Sequence, residues 1–439
     1  MSISPQRSQE IIDALRRGTV PRSSLDAFAV GLDRFETALD DELQRVGSGG
    51  SVFKAVRGEY GCGKTFFARW LEDRARKLGF ATSEVQVSEA ETPLHRLETV
   101  YRRLAERLAT ADTPQGALRN IIDGWFFTLE EDVLAEGTID PGDEHKLLAR
   151  TNELLEQRLA KVSSTAPTFS AALRGYRQAQ AQGNQAVADG ILAWLAGQPN
   201  VAAGAKRFAG VKGDIDHFGA LNFLQGVLTV LRDSGQAGML VVLDEVETIQ
   251  RVRSDVRDKS LNALRQLIDE VDSGRFPGLY LLITGTPAFF EGPQGVGRLE
   301  PLAQRLHVDF QTDARFDNPR AVQIRLPAFD LDRLCLVGYK VRDIFQQHSQ
   351  SGERISQHCN DGYIRQLAEA VAGKLGGKIG VAPRIFLKKL VADLLDRIDL
   401  HADFNPQRDY ALTITDVELK PVERQAMGAT EIDEIELDL

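Results

Sequence analysis

The chain has 439 residues, 43% of them hydrophobic and 26% charged, a balance that fits a folded protein with a sizeable core and two or three structural units. Its formal net charge of −10 excludes blanket attraction to nucleic acid, which rests on neutralising phosphates with Lys and Arg, so any DNA contact must come from a local patch. Cys62, Cys335 and Cys359 have no metal-binding spacing and the first twenty residues carry charge without an apolar run; the expectation is a cytoplasmic protein with no secretory signal and no membrane segment.

Ile11, Ile12 and Leu15 recur at helical spacing, and that helix should end before Pro21, because proline disfavours helical geometry in the residue before it. After Val30-Gly31 a second amphipathic helix runs through Phe35, Leu39 and Leu43, glycines turn the chain at 47–50, and 51–56 is the first convincing strand.

Gly58-Glu59-Tyr60-Gly61-Cys62-Gly63-Lys64-Thr65 follows. It satisfies GxxxxGK[ST], a loop whose backbone amides curl around phosphate while Lys64 reaches the β and γ oxygens and Thr65 offers a hydroxyl to Mg²⁺. The context agrees, since a strand precedes the loop and an amphipathic helix follows from Phe66, with Phe67, Trp70 and Leu71 on one face. ATP and Mg²⁺ are the implied cofactors, and Cys62 is a small filler of the loop. A strand over 81–87 and a helix over 93–108 come next.

Met239-Leu240-Val241-Val242-Leu243 is the next buried strand, and it ends in Asp244-Glu245. About 180 residues separate Lys64 from Asp244, where roughly two βα units of about 30 residues each would suffice. The surplus at 111–213 is expected to be a helical insertion, patterned by Trp125, Phe126 and Leu129, by Leu154, Leu155 and Leu159, and by Ile191, Leu192, Trp194 and Leu195. Its Gln- and Ala-rich stretch 174–184 is expected to be flexible, and 217–231 should return to the core as a helix.

Asp244, at the end of an apolar strand, is placed where a parallel sheet presents side chains to a ligand, and would hold the Mg²⁺ shell. Glu245 is the natural general base for an attacking water, with Glu247 in the same turn as a competitor. A strand over 279–283 ends in Thr284-Gly285-Thr286, either hydroxyl of which could orient that water. Arg298 or Arg305 could reach a neighbouring subunit's γ-phosphate or form an internal salt bridge. Arg251, Arg253, Arg257 and Lys259 are a DNA patch or a solvated helix face paired with Asp255 and Asp258. Helices over 331–347, 363–375 and 382–398 suggest a lid, with Arg384 entering the last of them behind Pro383. One more strand is expected at 410–419, then an acidic, aliphatic tail at 431–439. The strand and helix alternation gives the fold class: α/β, a three-layer parallel sheet.

Together these pieces resemble the AAA+ superfamily, especially initiator-like ATPases related to origin-recognition proteins. Val30-Gly31-Leu32-Asp33-Arg34-Phe35 resembles their adenine-side box, Thr286 lies near their sensor-1 position, and Arg384 matches their sensor-2 arginine in a GxxPR setting. More specifically, Val20-Pro21 with Phe28-Ala29-Val30-Gly31, Arg57-Gly58-Glu59-Tyr60-Gly61, Thr65-Phe66-Phe67 and Pro93-Leu94-His95-Arg96-Leu97 resemble the BREX ATP-binding BrxD family of bacterial phage-defence ATPases, over nearly the whole chain. A small Ser or Gly is usual in that family where this chain has Cys62. The resemblance implies a nucleotide site built from Val30, Gly31 and 58–66, with Lys64, Asp244, Glu245, Thr286, Arg305 and Arg384 in catalytic roles. It also implies a cytoplasmic homo-oligomer that acts on DNA beside defence partners such as a helicase or methyltransferase. The division expected is an N-terminal segment at 1–50, an AAA+ core in two parts at 51–110 and 214–330, the insertion at 111–213, a lid at 331–400 and an extension at 401–439. A slow nucleotide-gated switch or scaffold that recruits partners is the alternative. A metal-dependent nuclease finds little support, because the histidines are scattered.

Overall fold

The computed structural model describes residues 3–140, 142–375, 383–419 and 424. Among them β1 (Val52–Arg57), β2 (Phe80–Gln86), β3 (Gly238–Asp244), β4 (Leu279–Gly285) and β5 (Gln323–Arg325) pair in parallel in the order β2-β3-β4-β1-β5. A parallel sheet is covered on both faces, so its strands need apolar side chains in both directions. Met239, Val241 and Leu243 enter one hydrophobic cluster while Leu240 and Val242 enter the other; Leu281 and Ile283 are divided from Tyr280 and Leu282 in the same way.

The second of those clusters takes in α1 (Pro5–Arg16), α2 (Asp33–Gly47) and α3 (Lys64–Lys77). Each presents an apolar stripe at helical spacing, for example Phe35, Leu39 and Leu43 on α2 and Phe67, Trp70 and Leu71 on α3. The first cluster takes in α4 (Leu97–Arg107) and the helices that fill the long interval between β2 and β3. These are α5 (Leu118–Ala135), α6 (Glu144–Arg158), α7 (Ala160–Thr165), α8 (Pro167–Ala181), α9 (Gln185–Leu195), α10 (Ala203–Phe208) and α11 (His217–Asp233). Trp125, Phe169, Tyr176 and Trp194 share one cluster with Val241 and Leu281 of the sheet, so these helices extend the sheet's own core.

The stretch 174–184 differs from expectation. Its first eight residues belong to α8, where Tyr176 and Ala179 are fully buried and the Tyr176 hydroxyl donates to Asp123 on α5 at 2.8 Å. Small alanines between the glutamines let the helix pack closely, a role that a count of large apolar residues misses.

After β3 come α12 (Ser254–Asp272) and the short α13 (Pro287–Glu291) and α14 (Glu300–Leu306). Beyond β5 the chain is helical: α15 (Leu331–Gln346), α16 (Gly352–His358), α17 (Asp361–Lys374) and α18 (Pro383–Lys388), then a π-helical turn Lys389–Leu395 that runs into α19 (Asp396–Leu400). Their buried faces join α1 to α3 in the second cluster. The strand expected at 410–419 is not formed: this segment is irregular, with a 3₁₀ turn Asp416–Glu418 held by Lys389, whose ammonium meets Glu418 at 2.8 Å. Gly380, Val381 and Ala382 and the tail at 431–439 lie outside the described residues. Among the described residues no helix is long and apolar enough to cross a membrane. The architecture is the three-layer α/β parallel sheet with a helical C-terminal part that the sequence pattern predicts.

Candidate nucleotide-binding site

Register sets the site. Arg57 lies opposite Gly285 and Leu243 opposite Ile283, so the ends of β1, β3 and β4 share one carboxyl edge, where open α/β sheets take their ligands. From β1 the chain enters the loop 58–65, in which Gly61 and Gly63 have φ of +83° and +94°, a left-handed backbone that glycine adopts without a Cβ penalty. A Cβ on Gly58 would collide with the Cys62 sulfur and sit 3.3 Å from the Leu326 carbonyl. Burial pushes the Cys62 thiol up, which fits a filler and not a reactive thiolate. The loop closes onto the N-terminus of α3, which begins at Lys64; free amides and the positive end of the helix dipole face that point.

The buried Lys64 ammonium donates to the carbonyls of Gly58 at 2.8 Å and Glu59 at 3.2 Å, and lies 5.1 Å from the centre of the Tyr60 ring. Phe66, the next residue but one, packs edge-on against Phe28 with ring centres 5.2 Å apart. The Thr65 hydroxyl donates to Asp244 Oδ2 at 2.8 Å. A hydroxyl and a carboxylate oxygen at one point are the hard donors Mg²⁺ prefers, so Thr65 and Asp244 would hold it there. Residues 58–66 and Asp244 therefore fit a nucleoside triphosphate with its metal.

Thr284, fully buried at the end of β4, donates its hydroxyl to Asp244 Oδ1 and accepts the Glu245 backbone amide at 3.1 Å. Glu245 itself has φ of +59°, a left-handed conformation rare for a residue with a side chain, and its Oε2 accepts from Gln86 Nε2 at 2.6 Å. Strain of this kind persists where surrounding contacts over-determine it; here the contacts are Thr284 and Gln86. Thr284→Val keeps the shape but strips both hydrogen bonds, so the variant should lose about 1–3 kcal/mol of stability. A thermal melt that matches wild type would reject that assignment.

The expectation for Thr286 is corrected. Past Gly285 the chain turns into α13, and the Thr286 hydroxyl caps that helix by accepting the Phe289 amide at 3.4 Å; Thr284 is the strand-end hydroxyl that touches the acids. Arg305 is placed against α12, 2.7 Å from Asp269, and Arg298 pairs there with Asp258 and donates to Ser254 Oγ at 2.7 Å. Both are internal ion pairs. Arg257 is buried and donates to the carbonyls of Gln250 and Val252, so it braces the turn after β3 and is not part of a surface patch; Arg251, Arg253 and Lys259 are exposed. Arg384 donates to the Glu418 carbonyl at 2.6 Å and lies beside Gly18, which ties it to the C-terminal segment and the end of α1.

Sequence reasoning missed Gln86, whose amide has no motif around it, and the segment 326–333. Leu326 lies against Gly58, the Phe329 ring is 3.7 Å from a Cβ built at Gly63, and Arg333 Nε is 3.7 Å from one built at Gly31. This connector thus joins the loop to Val30-Gly31, the pair expected on the adenine side.

The family model described as BREX system ATP-binding protein BrxC/D matches residues 3–414. The chain belongs to that BrxC/D family. No curated protein matches it. Among solved structures it is similar to the Aeropyrum pernix ORC2 protein, solved as ADPNP-ADP complexes, with 13% identity, 87% of this chain and 70% of that chain covered, and a TM-score of 0.34. So loose an overlap carries no residue across. The BrxC/D family's ATP-binding description agrees with a site that has the loop, the lysine and the paired oxygens.

Proposed function

We propose that this chain hydrolyses MgATP and uses the cycle in anti-phage defence, acting on DNA as an oligomer with other defence proteins. The observation that carries the hydrolytic part is the Thr65–Asp244 hydrogen bond, which joins the two expected metal ligands across 179 residues of sequence and sets Glu245 beside them. Asp244 and Thr65 would hold Mg²⁺, which would supply charge screening of the phosphates; Lys64 would neutralise the β and γ oxygens, and Glu245 would take the proton of the attacking water. Membership of the BREX ATP-binding family supports the defence context. DNA contact rests on a local basic group, Arg251, Arg253 and Lys259, all exposed after the acid pair. A trans role for Arg298 or Arg305 requires each to leave its α12 carboxylate first.

The slow-switch reading keeps one specific support. Glu245 is tethered by Gln86, and a base held by a neighbour's amide is less available to water. Phosphate release with and without duplex DNA, over a salt series, separates the two. The machine predicts DNA-stimulated turnover, binding that weakens steeply with salt, and an ATP-driven rise in particle mass by mass photometry. Turnover indifferent to DNA, with a mass that ATP does not change, would leave the switch.

A further inference from the structure

Glu247 is the least compensated charge at the site. It sits three residues beyond Asp244, on the turn Val246–Arg251, with its side chain 2% exposed. Neither carboxylate oxygen accepts a well-formed hydrogen bond. The cation nearest to it is the Lys64 ammonium, 3.9 Å from Oε1, and the acids Asp244 and Glu245 add repulsion. Burial, relieved in part by Lys64, pushes this carboxyl up to about 7. A buried carboxylate without hydrogen bonds costs a fold several kcal/mol, and glutamine, methionine or leucine would fill the same space at lower cost.

We propose that Glu247 is a positioning residue that competes with nucleotide phosphate for the Lys64 ammonium, and so limits how tightly the loop holds its nucleotide. The reasoning is electrostatic. Lys64 can serve the phosphate oxygens fully only by giving up its attraction to Glu247, and a bound triphosphate brings further negative charge toward a carboxylate that low-dielectric surroundings screen poorly. Both effects weaken binding, for ATP and for ADP alike, and both speed release. The inference rests on the reading that the loop binds ATP, and it assigns Glu247 a role distinct from that of Glu245: Glu245 is tethered at the sheet edge by Gln86, while Glu247 faces the lysine.

Isothermal titration of the full chain with MgATP and with MgADP tests this, using Glu247→Gln and Glu247→Asp. Glutamine, equal in size and neutral, should bind both nucleotides about tenfold tighter, whereas aspartate, which keeps the charge, should stay near wild type. Without nucleotide the glutamine variant should also melt higher than wild type, because the orphan charge is gone. A structural role alone predicts a lower melting temperature and unchanged affinity. A folded glutamine variant with wild-type or weaker affinity overturns the proposal. Should glutamine fail to fold, Glu247→Ala carries the same expectation. A wild-type chain that binds neither nucleotide overturns the ATP reading itself, a result seen before any variant is compared.

Discussion

Lys64→Ala should abolish measurable ATP turnover and weaken MgATP binding about 100-fold or more, with the far-ultraviolet circular dichroism unchanged. Its ammonium is spent on the Gly58 and Glu59 carbonyls and on Glu247. A hydrogen bond to a charged group contributes about 1.5–3 kcal/mol, and a lysine that reaches two phosphates loses two of them, at about 1.4 kcal/mol per tenfold in affinity. Titration with MgATP reads the loss directly. Near wild-type affinity in this variant would mean that the loop does not cradle phosphate, and the reading of the whole site would go with it.

Glu245→Gln should separate binding from chemistry. Glutamine is isosteric, its carbonyl can still accept from Gln86, and the Glu245 amide that Thr284 holds is untouched. ATP should bind as in wild type while single-turnover hydrolysis falls about 10²–10⁴-fold, the usual contribution of a general base. Hydrolysis that survives within a factor of about three would assign the base elsewhere, with Glu247 the next carboxylate in the turn.

Much of the site was legible in sequence because its chemistry is local. The glycines at 61 and 63, which the loop's left-handed backbone demands, lie beside the lysine and the threonine in one short run, and Asp244-Glu245 is marked by the apolar run before it. What was illegible depends on how distant segments meet. Thr284 and Thr286 have the same alternation and the same hydroxyl; only the turn into α13, which takes Thr286 as its cap, decides between them. Gln86 gains its role from the pairing of β2 with β3, which sets it opposite Asp244. Arg384 matched a pattern by position in a helix, yet its guanidinium donates to the Glu418 carbonyl.

The fold was legible for the same reason and failed in the same places. Runs such as 239–243 announce a buried parallel strand through their continuous apolar character. β5 spans Gln323–Arg325, too short to show a period, and it forms because β1 offers a free edge. Residues 410–419 alternate like a strand but find no partner strand, and the Glu418–Lys389 ion pair claims their end.

The strand order β2-β3-β4-β1-β5 has a consequence for how the protein is made. In a chain growing from its N-terminus, β1 emerges early, yet its neighbours in the sheet are β4 and β5, and β2 pairs only with β3. Until residue 285 has been synthesised the strand that carries the phosphate loop has no ladder to join, and until residue 244 the Thr65 hydroxyl lacks its carboxylate partner. The chain must therefore be made from β1 through β4 before nucleotide can be gripped. The wait exposes an apolar strand to solvent, a slow and aggregation-exposed route typical of long-range parallel pairing. ATP would then bind only a nearly complete core, which makes it a reporter of finished folding.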